Sequence, residues 1–169
     1  AIMAPVNPAR LDVKLLASGP AAERASTALN TAGFKNIRAV GAEIGMASAI
    51  KMVRSIMVKG MEALTTECLV AADAAGVRNE VVASLNQSWP GTDWAARADY
   101  NLERMMVHGL RRAAEMEEVL KMQASLGVIS SMTAGTIHWQ KSIGSRGLTP
   151  LKSLTQKVRQ LFTPERKTS

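Results

Sequence analysis

From Glu43 to Ala75 the chain runs for about thirty residues without a proline, and it then meets Gly76. At 1.5 Å per residue a single helix over that stretch is about 50 Å long. The rest of a 169-residue chain must be arranged around it. Ile44, Ala47, Ile50, Val53, Met57, Met61, Leu64, Cys68 and Ala71 recur at intervals of three and four, which predicts one apolar face along its length. Ser48, Lys51, Ser55, Lys59 and Glu62 recur in the same way and predict a polar side. Aromatic residues are only 4% of the chain while methionine reaches 10. A core of Ala, Leu, Val and Met suits packed helices better than a sheet sandwich, which draws on β-branched and aromatic residues.

Downstream of this helix, others are expected at Arg78 to Ser88, Trp94 to His108, His108 to Leu126, Ile129 to Ile143 and Leu151 to Phe162. Pro90-Gly91, the Gly144 to Gly147 stretch and Pro150 punctuate them. Upstream the pattern changes. Ile2–Val6, Val13–Ala17 and Asn36–Val40 read as strands, and Ala21 to Ala32 as a helix between the second and third. Ser18 or Gly19 is expected to cap that helix with Pro20 at its first position, and Gly33 to close it. About forty residues of strand, helix and strand cannot close a doubly wound sheet, which commonly has six strands. Residues 1–41 therefore read as the remnant of a doubly wound domain, cut from something larger. Residues 42–162 read as a helical domain and 163–169 as a flexible tail. The expected class is mainly α: an all-helical domain preceded by a strand–helix–strand remnant.

The net charge is +7, but it is not spread evenly. Seven basic residues against Glu165 alone give residues 141–169 a charge of +6, which leaves +1 for residues 1–140. The body is neutral, and the sparse aromatics offer no base-stacking platform, so a nucleic-acid-binding face is not expected. Cys68 is the single cysteine and excludes an internal disulfide framework. No apolar run has the length of a membrane span, and no signal peptide is evident, so a soluble cytoplasmic protein is expected. His108 and His138 show no metal-ligand spacing, and no metal is expected.

Two clusters bear on chemistry. Lys51 and Ser55 stand one helical turn apart, after the small residues of Gly41-Ala-Glu-Ile-Gly45-Met-Ala47 that permit close approach of a ligand. A desolvated lysine there has the proton affinity of a general acid/base, whereas a solvated polar stripe has no such role. Arg111 and Arg112 suit bidentate capture of a carboxylate or phosphate. Pairing within the helix to Glu115, four and three residues on, is the other reading.

The stretch from Gly41 through Lys51-Met-Val-Arg54-Ser55 to Glu62-Ala-Leu64 and on to Gly76 resembles the β-hydroxyacid dehydrogenases, among them 6-phosphogluconate and 3-hydroxyisobutyrate dehydrogenases. Ala4-Pro5-Val6 is similar to that family's substrate segment. Tyr100-Asn101, Met105 and Arg111 to Glu118 resemble its phosphogluconate-dehydrogenase-type C-terminal domain. The resemblance covers nearly the whole chain. It implies that Lys51 is the catalytic lysine exchanging the hydroxyl proton of a hydroxy acid during hydride transfer to NAD or NADP. Ser55 takes the place of the family's asparagine, and Asn7 that of its substrate-binding serine. Asn7, Ser55, Arg54, Arg111 and Arg112 are the expected substrate-binding residues. A hydroxyl replaces an amide at Ser55, and Asn7-Pro8 replaces Ser-Gly, so these departures bear on the substrate more than on the reaction.

No GxGxxG is present in the 169 residues, and a complete enzyme of this kind needs one for the pyrophosphate. The chain is therefore expected to be the C-terminal part of an NAD(P)-dependent dehydrogenase, inactive without its N-terminal Rossmann domain and forming a homodimer. A non-catalytic helical dimerisation module is the alternative expectation.

Overall fold

A computed structural model describes residues 1–162; the tail expected at 163–169 lies outside the described residues. The chain divides into two compact units, Ala1–Arg54 and the remainder from Ser55. The division falls inside a helix, not at the 41/42 boundary that the composition suggests.

In the first unit β1 (Leu15–Ala17) runs parallel to β2 (Ile37–Ala39), with Leu15 opposite Ile37 and Ala17 opposite Ala39. The α2 helix (Ala22–Thr31) makes the crossover between them. This is the expected strand–helix–strand unit. Gly33 closes α2 at φ +99°, where the amide of Phe34 reaches back to the Leu29 carbonyl at 3.0 Å. The strand expected at Ile2–Val6 shrinks to one antiparallel bridge between Ile2 and Leu15. Pro5 and Pro8 have no N–H to extend a ladder, and the chain turns instead through α1 (Val6–Ala9) and a 3-10 turn at Arg10–Asp12.

Ser18 does not cap α2. Its hydroxyl accepts the Ala47 amide at 3.1 Å, in the first turn of α3 (Met46–Ala74). Gly19, at φ +108°, donates its amide to the Gly41 carbonyl at 3.0 Å. These two bonds tie the start of α3 to the strand unit, which is why the unit extends past residue 41.

The second unit holds the rest of α3 with α4 (Arg78–Ser88), α5 (Trp94–Ser125), α6 (Ser131–Gly144) and α7 (Leu154–Phe162). Its core gathers Ala63, Leu102, Met105, Met106, Ile143 and Val158, with Trp139, Leu154 and Leu161 packed against it. Asp93 caps α5, its carboxylate accepting the Ala96 amide at 2.9 Å. The break expected at His108 is absent: α5 is one helix of 32 residues. Gly109 stays helical because it is the contact surface for α6. A Cβ there would fall onto the Gln140 carbonyl oxygen and lie 2.8 Å from the Gly144 Cα, so two glycines set how closely α5 and α6 approach.

The expected apolar face of α3 is not the buried one. Within the second unit Met57 and Leu64 are exposed, whereas Lys59, Glu62, Thr65, Thr66, Leu69 and Ala72 are buried. Spacing identifies faces but not which one meets a partner, and here the partners are polar. Asn101 donates to Thr65 Oγ1 at 3.2 Å, and the Thr66 hydroxyl lies 3.2 Å from Met105 Sδ. Tyr100 is also exposed. Basic residues beyond 140 are partly neutralised by the body. Lys157 is buried and ion-paired to Asp99 at 3.0 Å and Glu103 at 2.7 Å, fastening α7 to α5. Burial disfavours its charge, but the two carboxylates prevail and raise its pKa above the ordinary lysine value.

Gly109→Ala is expected to destabilise the chain by about 1–3 kcal/mol, because backbone rather than a flexible side chain blocks the new methyl. Gly60→Ala, whose Cβ would meet only Thr136 Oγ1 at 3.6 Å, is expected to be neutral or to stabilise by up to about 1 kcal/mol. Equilibrium urea unfolding of the two variants separates them.

Candidate active site

In the first unit Lys51 and Arg54 are exposed on α3, and Asn7 is exposed in the kinked turn of α1 with φ −95° and ψ 129°. A groove of about 380 Å³ opens where β1 ends and α3 begins, lined by Ala17, Ser18, Ala21, Gly45, Ala47 and Ser48 among others. Open α/β sheets bind ligands outside the carboxyl ends of their strands. This groove carries no cationic side chain, and its Ser18 hydroxyl is occupied by the Ala47 amide. No Gly-x-Gly occurs in the sequence to offer a row of backbone N–H groups. The described residues therefore do not fit the pyrophosphate of a dinucleotide.

The second unit contains a charge network that sequence spacing only half revealed. Ser55 is half-buried and its Oγ accepts a hydrogen bond from Lys59 Nζ at 3.3 Å. Lys59, whose side chain is 7% exposed, is also ion-paired to Glu115 Oε2 at 2.7 Å. Arg111 is exposed and binds the other oxygen of Glu115, as its spacing along α5 allows. Arg112 does not pair with Glu115. It turns inward, 8% exposed at its side chain, and its Nε and Nη2 grip both oxygens of Glu62 on α3. Gln140 on α6 donates to Glu62 Oε2 at 2.9 Å. Of the expected substrate residues, Ser55 and Arg111 thus share one chain of contacts. Arg112 has its guanidinium committed to Glu62 and acts as a cross-link between helices.

Lys59, Glu62, Glu115 and Gln140 are the residues that sequence reasoning missed. The first two belong to the polar stripe of α3, but their partners lie 50 residues or more away, and no local rule pairs them.

Burial lowers the Lys59 pKa below its ordinary value, and the Arg112 charge adds to this, against the pull of Glu115. Burial alone would raise Glu115, but the hydrogen bond and charge of Lys59, with Arg111 and Arg112, hold it below the usual carboxylate range. His108 is also lowered, first by burial and then by the positive charges of Arg104, Arg111 and Arg112. Among the described residues no group of His, Cys, Asp and Glu is placed to hold a metal ion. Among them, too, no helix is long and apolar enough to cross a membrane.

Glu62→Gln leaves the Arg112 charge buried without its counter-ion, and a loss of about 3–5 kcal/mol is expected in urea unfolding. Replacing both Glu62 and Arg112 by Met is expected to cost less than Glu62→Gln alone, since the desolvation penalty leaves with the charges. Glu115, with its folded pKa depressed, contributes stability above the ordinary carboxylate pKa that is lost as pH falls through the depressed value. Glu115→Gln is therefore expected to flatten the acid limb of stability against pH.

Residues 72–143 match the domain of unknown function DUF1932. Over 95% of its length the chain is similar to a conserved hypothetical protein from Sinorhizobium meliloti 1021, with 36% identity and a TM-score of 0.83, covering 55% of that chain. Over 88% of its length it is similar to the conserved protein MTH1747 of unknown function, with 37% identity and a TM-score of 0.71, covering 57% of that chain. The structure of MTH1747 is described as similar to 3-hydroxyacid dehydrogenases. The comparison with curated proteins gave no match. The chain thus spans a little over half the length of these two structures. Residues 72–143 thus carry a DUF1932 domain, in a chain whose structural neighbour MTH1747 is similar to 3-hydroxyacid dehydrogenases.

Proposed function

We propose that this chain is the substrate half of an NAD(P)-dependent dehydrogenase that oxidises a hydroxy acid, either a 3-hydroxy acid or one similar to 6-phosphogluconate. The observation that carries this reading is the lysine-bearing helix α3, entered through Gly41 and Gly45, in a chain more than one-third identical to a protein similar to 3-hydroxyacid dehydrogenases. The hydride acceptor, NAD or NADP, would be held by a glycine-rich unit outside these 169 residues.

Within the chain the work concerns the proton and the anion. The Lys51 amine takes the substrate's hydroxyl proton as the carbinol C–H leaves as hydride, and the C–O bond becomes a carbonyl. In the reverse direction the ammonium returns that proton. Ser55 offers a hydroxyl to the substrate, Arg54 and Arg111 answer its carboxylate or phosphate, and Asn7 is the further substrate-binding residue that the family resemblance implies. The protein acts as a soluble, cytoplasmic homodimer.

In the protein joined to its nucleotide-binding unit, Lys51→Ala is expected to lower kcat by about 10²–10⁴-fold. Its unfolding free energy should stay within about 0.5 kcal/mol, because Lys51 is exposed. Steady-state NAD(P)⁺ reduction over a panel of 3-hydroxy acids and 6-phosphogluconate checks this. A second reading draws on the exposed Met57 and Leu64 of α3: the unit serves association alone. Unchanged turnover in Lys51→Ala, or a folded dimer with no turnover of any acid, would favour it.

A further inference from the structure

Lysine is among the side chains least often buried, and a buried one needs a partner for its charge. Lys59 has that partner in Glu115, at 2.7 Å, so the ion pair alone accounts for its burial. It does not account for the second contact. The same ammonium lies 3.3 Å from Ser55 Oγ, one helical turn earlier on the same face of α3. We infer that Lys59 is a positioning residue for Ser55: held in place by Glu115, its ammonium fixes and polarises the Ser55 hydroxyl for the carboxylate end of a hydroxy-acid substrate. This rests on the dehydrogenase reading above and assigns a role within the same site.

The chemistry follows from the donor inventory. A hydroxyl has one proton and two lone pairs, whereas an ammonium has three protons and no acceptor. Lys59 can only donate, so Ser55 Oγ is the acceptor of this bond, and a charge-assisted donor pulls electron density from the oxygen and strengthens its own O–H as a donor. The anchor is itself anchored, since Arg111 holds the second oxygen of Glu115. The Glu115 carboxylate is thereby held through both of its oxygens.

Charge points the same way. Lys59, Arg111 and Arg112 face only Glu62 and Glu115 in this network, an excess of one positive charge. With Arg112 and Glu62 closed on each other by a two-pronged bond, the excess sits on the Arg111–Glu115–Lys59 arm, which ends at Ser55. An anionic group at Ser55 would meet a net cation. An alcohol without a carboxylate would not profit from it. A serine with a lysine behind it thereby supplies both a short donor and a positive field.

The test is a double-mutant cycle in the protein joined to its nucleotide-binding unit, with 3-hydroxyisobutyrate and 6-phosphogluconate as probes. Ser55→Ala, Lys59→Met, the double variant and Lys51→Ala are compared by kcat, KM and calorimetric binding of the same two acids. Ser55→Ala and Lys59→Met are each expected to lower kcat/KM by about ten- to a hundredfold, chiefly through KM. The double variant should lose clearly less than the product of the two single losses, because Lys59 acts chiefly through that hydroxyl. Should Lys59→Met fail to fold by circular dichroism, Glu115→Gln in its place removes the anchor's charge at constant shape. It should show the same non-additivity with Ser55→Ala. Additive losses, or unchanged kinetics and binding in Lys59→Met or Glu115→Gln, would overturn the inference while Lys51→Ala still abolished turnover. If Lys51→Ala left turnover intact, or the unaltered protein neither bound nor oxidised either acid, the dehydrogenase reading would fall and this inference with it.

Discussion

The two-pronged bond between Arg112 and Glu62 organises the helical unit. It joins α5 to α3, and Gln140 brings in α6 through the same carboxylate, so one group meets three helices. Moving such a pair out of water costs several kcal/mol per ion, and the mutual attraction repays this only with good geometry and few unmet lone pairs. Both prongs of the guanidinium and an added amide donor meet that condition here. A greasy contact between the same helices would tolerate sliding. A fork on a carboxylate sets the rotation of α3 against α5, which places Lys59 three residues before Glu62 on the inward side as well. The polar interior of α3 is therefore a consequence of one directional bond.

That bond in turn needs the helices to approach closely. Gly109 stands three residues before Arg112 on α5, and Gly144 four residues after Gln140 on α6. Each glycine occupies space that a methyl on the other would need. The intrinsic cost of glycine inside a helix is about 1 kcal/mol against alanine, and two helices bear it at one crossing. Close approach brings the Gln140 amide within reach of Glu62. It also presses Ile143 into the core beside Met105 and Met106. Packing and hydrogen bonding thus depend on the same two missing side chains.

Much of this was legible without coordinates, and the exceptions share a cause. The length of α3, the parallel strand–helix–strand unit and the Gly33 cap follow from local rules: absence of proline, apolar spacing and a residue tolerant of positive φ. The inward face of α3, the unbroken α5 and the pairing of Arg112 with Glu62 do not. Each is decided by a residue far along the chain, such as Gln140 for Glu62 or Gly144 for Gly109. The break expected at His108 falls beside Gly109, and only the neighbouring helix makes that glycine a contact. Arg111 pairs locally with Glu115 as its spacing suggests, while Arg112, one position on, points 100° around the helix toward a different partner. Of the candidate site, Lys51 and Ser55 stood out because a motif surrounds them. Lys59 and Glu115 did not, because their importance lies in what they touch.

The arrangement has a further physical consequence for any substrate. Donors fixed before a ligand arrives cost no reorganisation at the moment of reaction, and fixing them is what a second layer of bonded side chains achieves. Ser55 Oγ is held from within its own helix by Lys59, Lys59 by Glu115 on α5, and Glu115 by Arg111 one turn back along that helix. The chain of contacts ends on the guanidinium of a half-exposed side chain, so it can respond to what binds there. An anion that drew Arg111 away from Glu115 would loosen the carboxylate and, through it, the lysine behind Ser55. An anion held by Arg111 and Glu115 still paired would leave the hydroxyl fixed. On the reading proposed above, such a network would favour ligands whose charge fits beside the Arg111–Glu115 pair over those that compete with it.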